Sequence, residues 1–465
     1  MTSDPRLPND VPRAVSFSEA LAFWLKLGLI SFGGPAGQIA LLQQELVERR
    51  RWISQQRFLH ALNYCMLLPG PEAQQLVTYI GWLLHKRWGG IVAGSLFVLP
   101  SLVLLIALSW VYVRFGEVPE VRGLFAGIQC AVTALVLQAA WRIGTRTLRN
   151  RWLVGIAVAS FLALWAGLTF VWIVVAAALV GAIGARHWPA VFALAPSHGT
   201  APASSSAATS SAAPPTHALI DDHTPTPVHA QWHALRFVQV VLAGALLWVL
   251  SIALMAWLWG AQSSFVDVGL FFTEAALLTF GGAYAVLPFV YQGAVVQFGW
   301  LTGAQMMHGL ALGETTPGPL IMVVAFVGFV GGYTGQWLGA DHALASGVLA
   351  ACVATWFTFL PSFVFILAGG PWVERTHRQL GWTAPLTAIT AAVVGVIAHL
   401  ALFFTAHLLW PQGPTGPLAW PSLALAALAA LALIRWRRGV VEVLGLCAVL
   451  GLLGQFGHNR AFFGG

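Results

Sequence analysis

The chain has 465 residues, of which 58% are hydrophobic and only 8% charged, with a mean hydropathy of +0.77. An aqueous globule carries about 25% charged residues, so a soluble fold is excluded. The net charge of +7 and pI of 9.7 would suit nucleic acid, but in so apolar a chain basic residues are those kept in cytoplasmic loops. The bilayer, not nucleic acid, is the expected partner.

In chain order, the first 16 residues carry Asp4, Arg6, Asp10 and Arg13 without an apolar core, which predicts no cleavable signal peptide. Residues 16–47 and 58–85 read as two re-entrant hairpins with tips at Phe32-Gly33-Gly34-Pro35 and Pro69-Gly70-Pro71, a threaded span in place of either being the alternative. Full spans follow near 90–113, 122–147, 152–166 and 168–185. Residues 195–230 are dominated by Ala, Ser, Thr and Pro and predict a flexible linker. Its histidines (His198, His217, His223, His229 and, just after, His233) are irregularly spaced and read as solvated spacer. An unpaired span near 235–259 crosses outward. Hairpins at 264–295 and 306–335 come next, then spans near 342–370, 381–405, 418–434 and 440–455. The predicted organisation is an N-terminal half 1–194, a linker 195–233 and a C-terminal half 234–465 whose repeat begins at 264. The N-terminus and linker are expected on the cytoplasmic side.

Residues 16–71 align without a gap onto 264–319, an offset of 248, with fifteen identities in 56 positions. The identities fall on residues that shape backbone and packing: Phe32-Gly33-Gly34 on Phe280-Gly281-Gly282, Trp52 on Trp300, His60 on His308, and Pro69-Gly70-Pro71 on Pro317-Gly318-Pro319. First-half arginines cluster at Arg49-Arg50-Arg51 with Arg57, at Lys86-Arg87, and at Arg142, Arg146, Arg149 and Arg151, whereas the matching loops 292–304, 333–341 and 406–416 have no Lys or Arg. The second half instead places Arg375, Arg378, Arg435, Arg437 and Arg438 where its partner is neutral or balanced. Since cytoplasmic loops collect Lys and Arg, the halves are expected upside down relative to each other. The predicted fold is an all-α polytopic membrane protein built as an inverted repeat, its broken helices meeting near mid-membrane.

Glycine lets a chain turn, and proline suits the first turn of the next helix. Gly33, Gly34, Gly70, Gly281, Gly282 and Gly318 therefore read as bends between a helix end and a new helix N-terminus. Such N-termini present free N–H donors and about half a positive charge, so four of them converging would receive a small anion. Backbone broken at membrane depth is tolerated where it lines protein or a polar cavity. Asn63, Gln75, Thr315 and Thr316 flank the same breaks as neutral hydrogen-bonding groups, along with Tyr64 and Gln74. Ionisable groups at this depth are expensive and point to function or pairing. Lys26 and its repeat mate Glu274 each stand seven residues before a break and are expected to pair near the two-fold axis or to gate. Glu72 and Glu314 place one carboxylate beside each break. Their mates are Leu320 and Met66, so the site is asymmetric. A carboxylate there repels an anion unless protonated, which suits proton coupling. His60 and His308 read as packing histidines, and Arg49–Arg51 as setting orientation.

Cys65, Cys130, Cys352 and Cys447 form no Cys-x-x-Cys pair, so neither a zinc site nor a dithiol centre is indicated. No phosphate loop or dinucleotide fingerprint is apparent, and no cofactor is expected.

At these residues the chain resembles the chromate ion transporter family, in its long form with two homologous halves. FGGPAGQIA, ERRRWI, RFLHALNYCMLLPGPEAQQL and YIGWLLHKRWGG carry the first-half likeness; FGGAYAVLP, GWLTGAQM and GETTPGPLIMV carry the second. The resemblance covers nearly the whole chain. It implies export of chromate across the bacterial inner membrane, driven by the proton-motive force, and hence chromate resistance. One departure falls at His308, where the resemblance implies an acidic residue. Chromate is a tetrahedral dianion close in shape to sulfate, and no side chain separates the two. A sulfate transporter is thus the nearest alternative reading, and a passive anion channel another. A membrane-bound reductase would need flavin, haem or nicotinamide ligation, for which no site is recognisable. The sequence carries no feature that separates a monomer from a homodimer.

Overall fold

The computed structural model describes residues 15–32, 34–188, 218–221, 224, 227–280, 282–375, 383–411 and 415–456. Among these residues there are sixteen α-helices and no strand beyond one isolated bridge.

Helix α1 (Phe17–Ile30) starts where the Ser16 side chain accepts from the Glu19 N–H and ends at Ser31. After the first break, α2 (Gly34–Gln43) runs into a π-helical turn, Gln44–Arg49. Helix α3 (Gln55–Leu67) is capped by Ser54. Helix α4 (Glu72–Phe115) folds back at His85 and Lys86 into two arms, 72–84 and 87–115. With 14 and 13 residues, α1 and α3 are about 21 and 20 Å long at 1.5 Å per residue, short of a hydrocarbon core of about 30 Å. They go in and come back. Trp52, just after the π turn, packs on Phe23 and Trp24 of α1 with ring centroids 4.8 and 5.9 Å apart. Arg50 lies over the Phe23 ring at 4.5 Å. At the end of the first α4 arm, His85 Nε2 donates to the Val15 carbonyl at 2.9 Å. Both hairpins therefore open on one side, and only the arm 87–115 then crosses.

The second half repeats this with α9 (Ser264–Leu278), α10 (Ala283–Tyr291), α11 (Gly303–Thr315), α12 (Val323–Gly335) and α13 (Ala343–Arg375). The copy extends to irregularities. A π turn at Gln292–Gln297 follows α10, 248 residues after the first. Thr302 caps α11 where Ser54 caps α3, and Trp300 packs on Phe271 and Phe272 at 5.6 and 6.4 Å. Near the far end of the long α4 arm, Tyr112 shares a 2.9 Å hydrogen bond with His308 of α11. Near the far end of α13, the Val373 carbonyl meets His60 Nε2 of α3, 3.2 Å apart. Since the arm 87–115 separates the two places, the second pair of hairpins opens on the opposite side. The repeat is inverted, as the arginine asymmetry predicts.

The peripheral helices are α5 (Pro119–Thr147), α6 (Arg151–Trp165), α7 (Phe170–His187), α14 (Thr383–Leu409), α15 (Trp420–Ile434) and α16 (Val440–Phe456). They exchange partners between halves: α6 and α7 clasp α14, while α15 and α16 clasp α5. Glycines allow the close approach. A Cβ on Gly127 would lie 1.9 Å from the Cys447 carbonyl, and one on Gly395 1.9 Å from that of Ala157. Lipid offers no hydrophobic drive between helices, so such backbone contact is what holds them. Helix α8 (Ala234–Trp259) is the unpaired span and lies against α9 and α13. Among the described residues, six helices (α4, α5, α7, α8, α13 and α14) are long and apolar enough to cross a membrane.

Of the segment read as a linker, 195–217 lies outside the described residues, with His198 and His217; so do His223 and Arg378. Its last part is no free spacer. The Leu219 and Ile220 N–H groups donate to the Arg51 and Trp52 carbonyls at 2.9 and 3.1 Å, and Ser54 N–H donates to the Ile220 carbonyl at 2.9 Å. Leu219 and Ile220 depart from the Ala/Ser/Thr/Pro composition, and Ile220 is buried against the first half.

Candidate functional site at the crossed helix breaks

Each half ends its first short helix, α1 or α9, with an unclosed turn and places a Pro-Gly-Pro bend two segments later. The structure crosses these elements between halves. Gly70 N–H donates to the Thr279 carbonyl at 2.8 Å, and Gly318 N–H donates to the Ser31 carbonyl at 2.8 Å. Ser31 and Thr279 are repeat mates, as are Gly70 and Gly318, so the two bonds are one contact made twice. A reciprocal contact of this kind requires a two-fold axis. Free carbonyls at a helix end need partners when buried, and each half supplies them to the other.

Both central glycines adopt the left-handed region, with φ of 122° at Gly70 and 105° at Gly318. A Cβ on Gly70 would lie 2.4 Å from Ser362 Oγ and 2.7 Å from Gln75 Nε2; one on Gly318 would lie 2.7 Å from Ser101 Cβ. Ser101 and Ser362 stand in a second repeated motif, Leu99-Pro100-Ser101 and Leu360-Pro361-Ser362, on the two long crossing segments. Around each Pro-Gly-Pro bend the same serine thus arrives from the other half.

The side chains depart from this symmetry. Gln38 Nε2 donates to the Gly318 carbonyl, whereas its repeat mate is Val286. Gln75 Nε2 donates to the Pro69 carbonyl at 2.8 Å and to Ser362 Oγ at 3.4 Å, and its mate is Val323. Of ten buried side-chain polar atoms left unpartnered among the described residues, five belong to this junction: Ser31 Oγ, Gln38 Oε1, Gln74 Oε1, Gln75 Oε1 and Ser101 Oγ. Buried polar atoms are normally hydrogen-bonded, so this concentration marks a place made for a polar guest. The two carboxylates meet at one break. Glu314 is buried and accepts from Tyr284 OH, in the first turn of α10. Glu72, at the start of α4, has Oε1 3.7 Å from where a Cβ on Gly282 would stand, immediately before the same helix. The first-half break has neither acid.

The remaining expected residues divide. Gly34 (φ 67°) and Gly282 (φ 100°) make the turns into α2 and α10; Gly33 and Gly281 lie outside the described residues. Asn63 is part-buried on α3. Thr315 Oγ1 donates to the Ala311 and Leu312 carbonyls at 3.1 Å each, and Thr316 Oγ1 to that of Gly313 at 3.1 Å. Their hydroxyl protons are therefore turned back on their own helix, and only the oxygens' accepting side remains. Lys26 and Glu274 are not brought together. Both sit on exposed faces of α1 and α9, and no ion pair joins them. The inverted two-fold places them at equivalent depths on outer surfaces rather than at the axis. Lys26→Glu, Glu274→Lys and their exchange are expected to show independent effects on transport in vesicles, the exchange equalling the product of the singles. Rescue by the exchange would contradict this geometry. His308 packs between Tyr112 and Phe125, with Gln129 Nε2 2.8 Å from its Nε2.

The sequence profile of the Chromate transporter family matches residues 18–182 and 266–452, one stretch in each half. The chain belongs to the chromate transporter family. Among curated relatives, a chromate transport protein of Pseudomonas aeruginosa is 35% identical over 390 residues, 83% of this chain and 80% of the relative. A probable chromate transport protein of Synechococcus elongatus is 27% identical, covering 83% and 84%. A chromate transport protein of Cupriavidus metallidurans is 26% identical, covering 88% and 87%. No solved structure matches. Within the family's frame, the two matched stretches are the two halves whose breaks cross at Gly70 and Gly318.

Proposed function

We propose that the chain exports chromate across the bacterial inner membrane in exchange for protons, conferring chromate resistance, with the N-terminus and the 195–233 segment in the cytoplasm. The observation that carries this reading is the crossing of the breaks, with the unpartnered Ser31 and Ser101 hydroxyls beside it and both carboxylates at one helix start. A tetrahedral oxyanion needs several N–H and O–H donors from different directions, without a fixed cation that would hold it too tightly to release. The turns at Gly34, Gly70, Gly282 and Gly318 let backbone N–H groups approach it, and helix N-termini add partial positive charge. Asn63 and Gln75, with Gln38, Ser101 and Ser362 added by the geometry, are the polar side chains assigned to it, whereas Thr315 and Thr316 turn their protons back on their own helix. Glu72 and Glu314 oppose the anion when ionised and admit it when protonated, which ties substrate occupancy to proton occupancy. Basic loops gathered on one side support the orientation.

Everted membrane vesicles test this directly. Chromate should accumulate against its gradient, collapse on adding a protonophore, and be competed by excess sulfate far less than by chromate itself. Glu314→Gln keeps an acceptor for Tyr284 but cannot titrate, and is expected to lower proton-driven accumulation about tenfold while leaving downhill chromate exchange measurable. Equal competition by sulfate would reassign the substrate, and undiminished proton-driven accumulation by Glu314→Gln would remove the coupling role.

A further inference from the structure

The two crossed bends leave different hydrogen-bonding capacity around them. Three residues meet Gly318. The Ser31 carbonyl, at the end of α1, accepts the Gly318 N–H at 2.8 Å. Gln38 of α2 donates through Nε2 to the Gly318 carbonyl. Ser101, on the long α4 arm, has its Cβ 2.7 Å from where a Cβ on Gly318 would stand. Ser31 Oγ, Gln38 Oε1 and Ser101 Oγ are unpartnered, in residues only 0%, 1% and 0% exposed. At Gly70 the equivalent groups are already engaged. Thr279 Oγ1 donates to the Ala275 carbonyl at 2.6 Å, and Ser362 Oγ accepts from Gln75 Nε2 at 3.4 Å. Gln38 itself is replaced there by Val286. The free capacity of the repeated serines and threonine is thus confined to one bend.

That capacity is of two kinds. A carbonyl oxygen only accepts, so the Gly318 carbonyl fixes which end of the Gln38 amide is nitrogen, and the end left free is an acceptor. The two serine hydroxyls are free to donate, since neither is turned back on a carbonyl as the hydroxyls of Thr133 and Thr355 are. A ligand that satisfies all three must offer bare oxygens to the serines and one O–H to Gln38. A fully ionised tetrahedral dianion has no proton to offer and would set a lone pair against Gln38 Oε1.

The geometry points to a site that selects oxyanions carrying a proton: hydrogen chromate, its O–H on Gln38 Oε1 and its bare oxygens on the Ser31 and Ser101 hydroxyls. This rests on the export reading above and names the form of the anion that is bound. Chromate holds one proton near neutral pH, whereas sulfate gives up its last in strong acid. Gln38 therefore separates two anions of the same shape, because sulfate leaves a buried acceptor unpaired. The anion keeps its proton throughout, so no bond is made or broken.

The test is displacement of radiolabelled chromate from the purified full chain in neutral detergent at about pH 7.5. Phosphate carries a proton at that pH; sulfate and selenate do not. Phosphate should displace chromate at least tenfold better than either. Gln38→Leu keeps the bulk of the side chain but neither donates nor accepts, and should bring the advantage of phosphate over sulfate below about threefold. Ser101→Ala removes a donor that every oxyanion uses, so it should weaken chromate, phosphate and sulfate together and keep their ratio. A general loosening of the bend would likewise move all three together, so the ratio reads the acceptor alone. If Gln38→Leu fails to fold, the wild-type ratio still decides. Sulfate displacing chromate as well as phosphate does, or a Gln38→Leu ratio equal to that of wild type, would overturn the proposal while chromate binding and the export reading stand. Absence of chromate binding by wild type would overturn both.

Discussion

Gly70→Leu and Gly318→Leu are each expected to abolish chromate accumulation in everted vesicles while the protein still inserts and purifies as a single species. Two costs combine at Gly70. An L-residue held in the left-handed region costs about 1–2 kcal/mol, and φ there is 122°. Side-chain atoms forced into packed space cost about 1–3 kcal/mol more, and the first of them would stand 2.4 Å from Ser362 Oγ. At roughly 1.4 kcal/mol per factor of ten, relief by moving the bend would break the bond from Gly70 N–H to the Thr279 carbonyl and separate the crossed halves. Gly34 provides the control. Its φ is also positive, at 67°, but a Cβ there meets nothing within 4 Å, so Gly34→Ala should cost only the backbone share. Normal accumulation by Gly70→Leu would refute the assignment of the crossed bends to the transport path.

Arg57→Ala is expected to destabilise the purified protein by about 3–5 kcal/mol, the cost of leaving a buried carboxylate unpaired. Arg57 Nη2 lies 2.5 Å from Glu374 Oε2, with side chains 4% and 1% exposed. Tyr79 OH donates to the other carboxylate oxygen, and Arg57 Nη1 also donates to the Asp221 carbonyl at 2.8 Å. One guanidinium thus joins the first half, the second half and the central segment. Thermal unfolding followed by tryptophan fluorescence would read the loss, and Arg57→Met/Glu374→Leu should recover most of it, because an apolar pair leaves no charge stranded. A single variant melting within a degree of wild type would show that the pair contributes nothing.

Much of this architecture is legible in the sequence because inverted insertion leaves a charge record. Arginines present at 49–51 and missing at 297–299 report which side of the membrane each loop faces. The duplicated Gly and Pro residues report where helices stop, since glycine takes positive φ freely and proline suits the start of the next helix. What the sequence hides is contact across the two-fold. Periodicity cannot tell that α6 and α7 leave their own half to clasp α14, because a lipid-facing and a protein-facing apolar stripe look alike in a membrane helix. The Leu-Pro-Ser motif at 99–101 and 360–362 was available as a signal, but its offset of 261 differs from 248, since the turn between the second-half helices α12 and α13 is longer. Lys26 and Glu274 misled for a physical reason: equal distance from a break fixes depth along the membrane normal but not which way a helix face points. Gln38 is invisible as a site residue because its role depends on meeting Gly318, 280 positions away.

The reciprocal bonds at Gly70 and Gly318 have an energetic corollary. A rotation that swaps the halves also swaps the two faces of the membrane, so parting the α3 hairpin from α13 has a mirror event in which the α11 hairpin parts from the long arm of α4. Backbone terms nearly cancel between these events, because each bend makes the same bond to the same kind of carbonyl. The tilt between them falls to positions where the copy is unfaithful. Arg57, Tyr79 and Glu374 lock one face, where the other has Gln305, Val327 and Val113. A difference of about 3 kcal/mol corresponds to a population ratio of about 150-fold, enough for three side chains to choose the direction in which an otherwise even-handed scaffold rests.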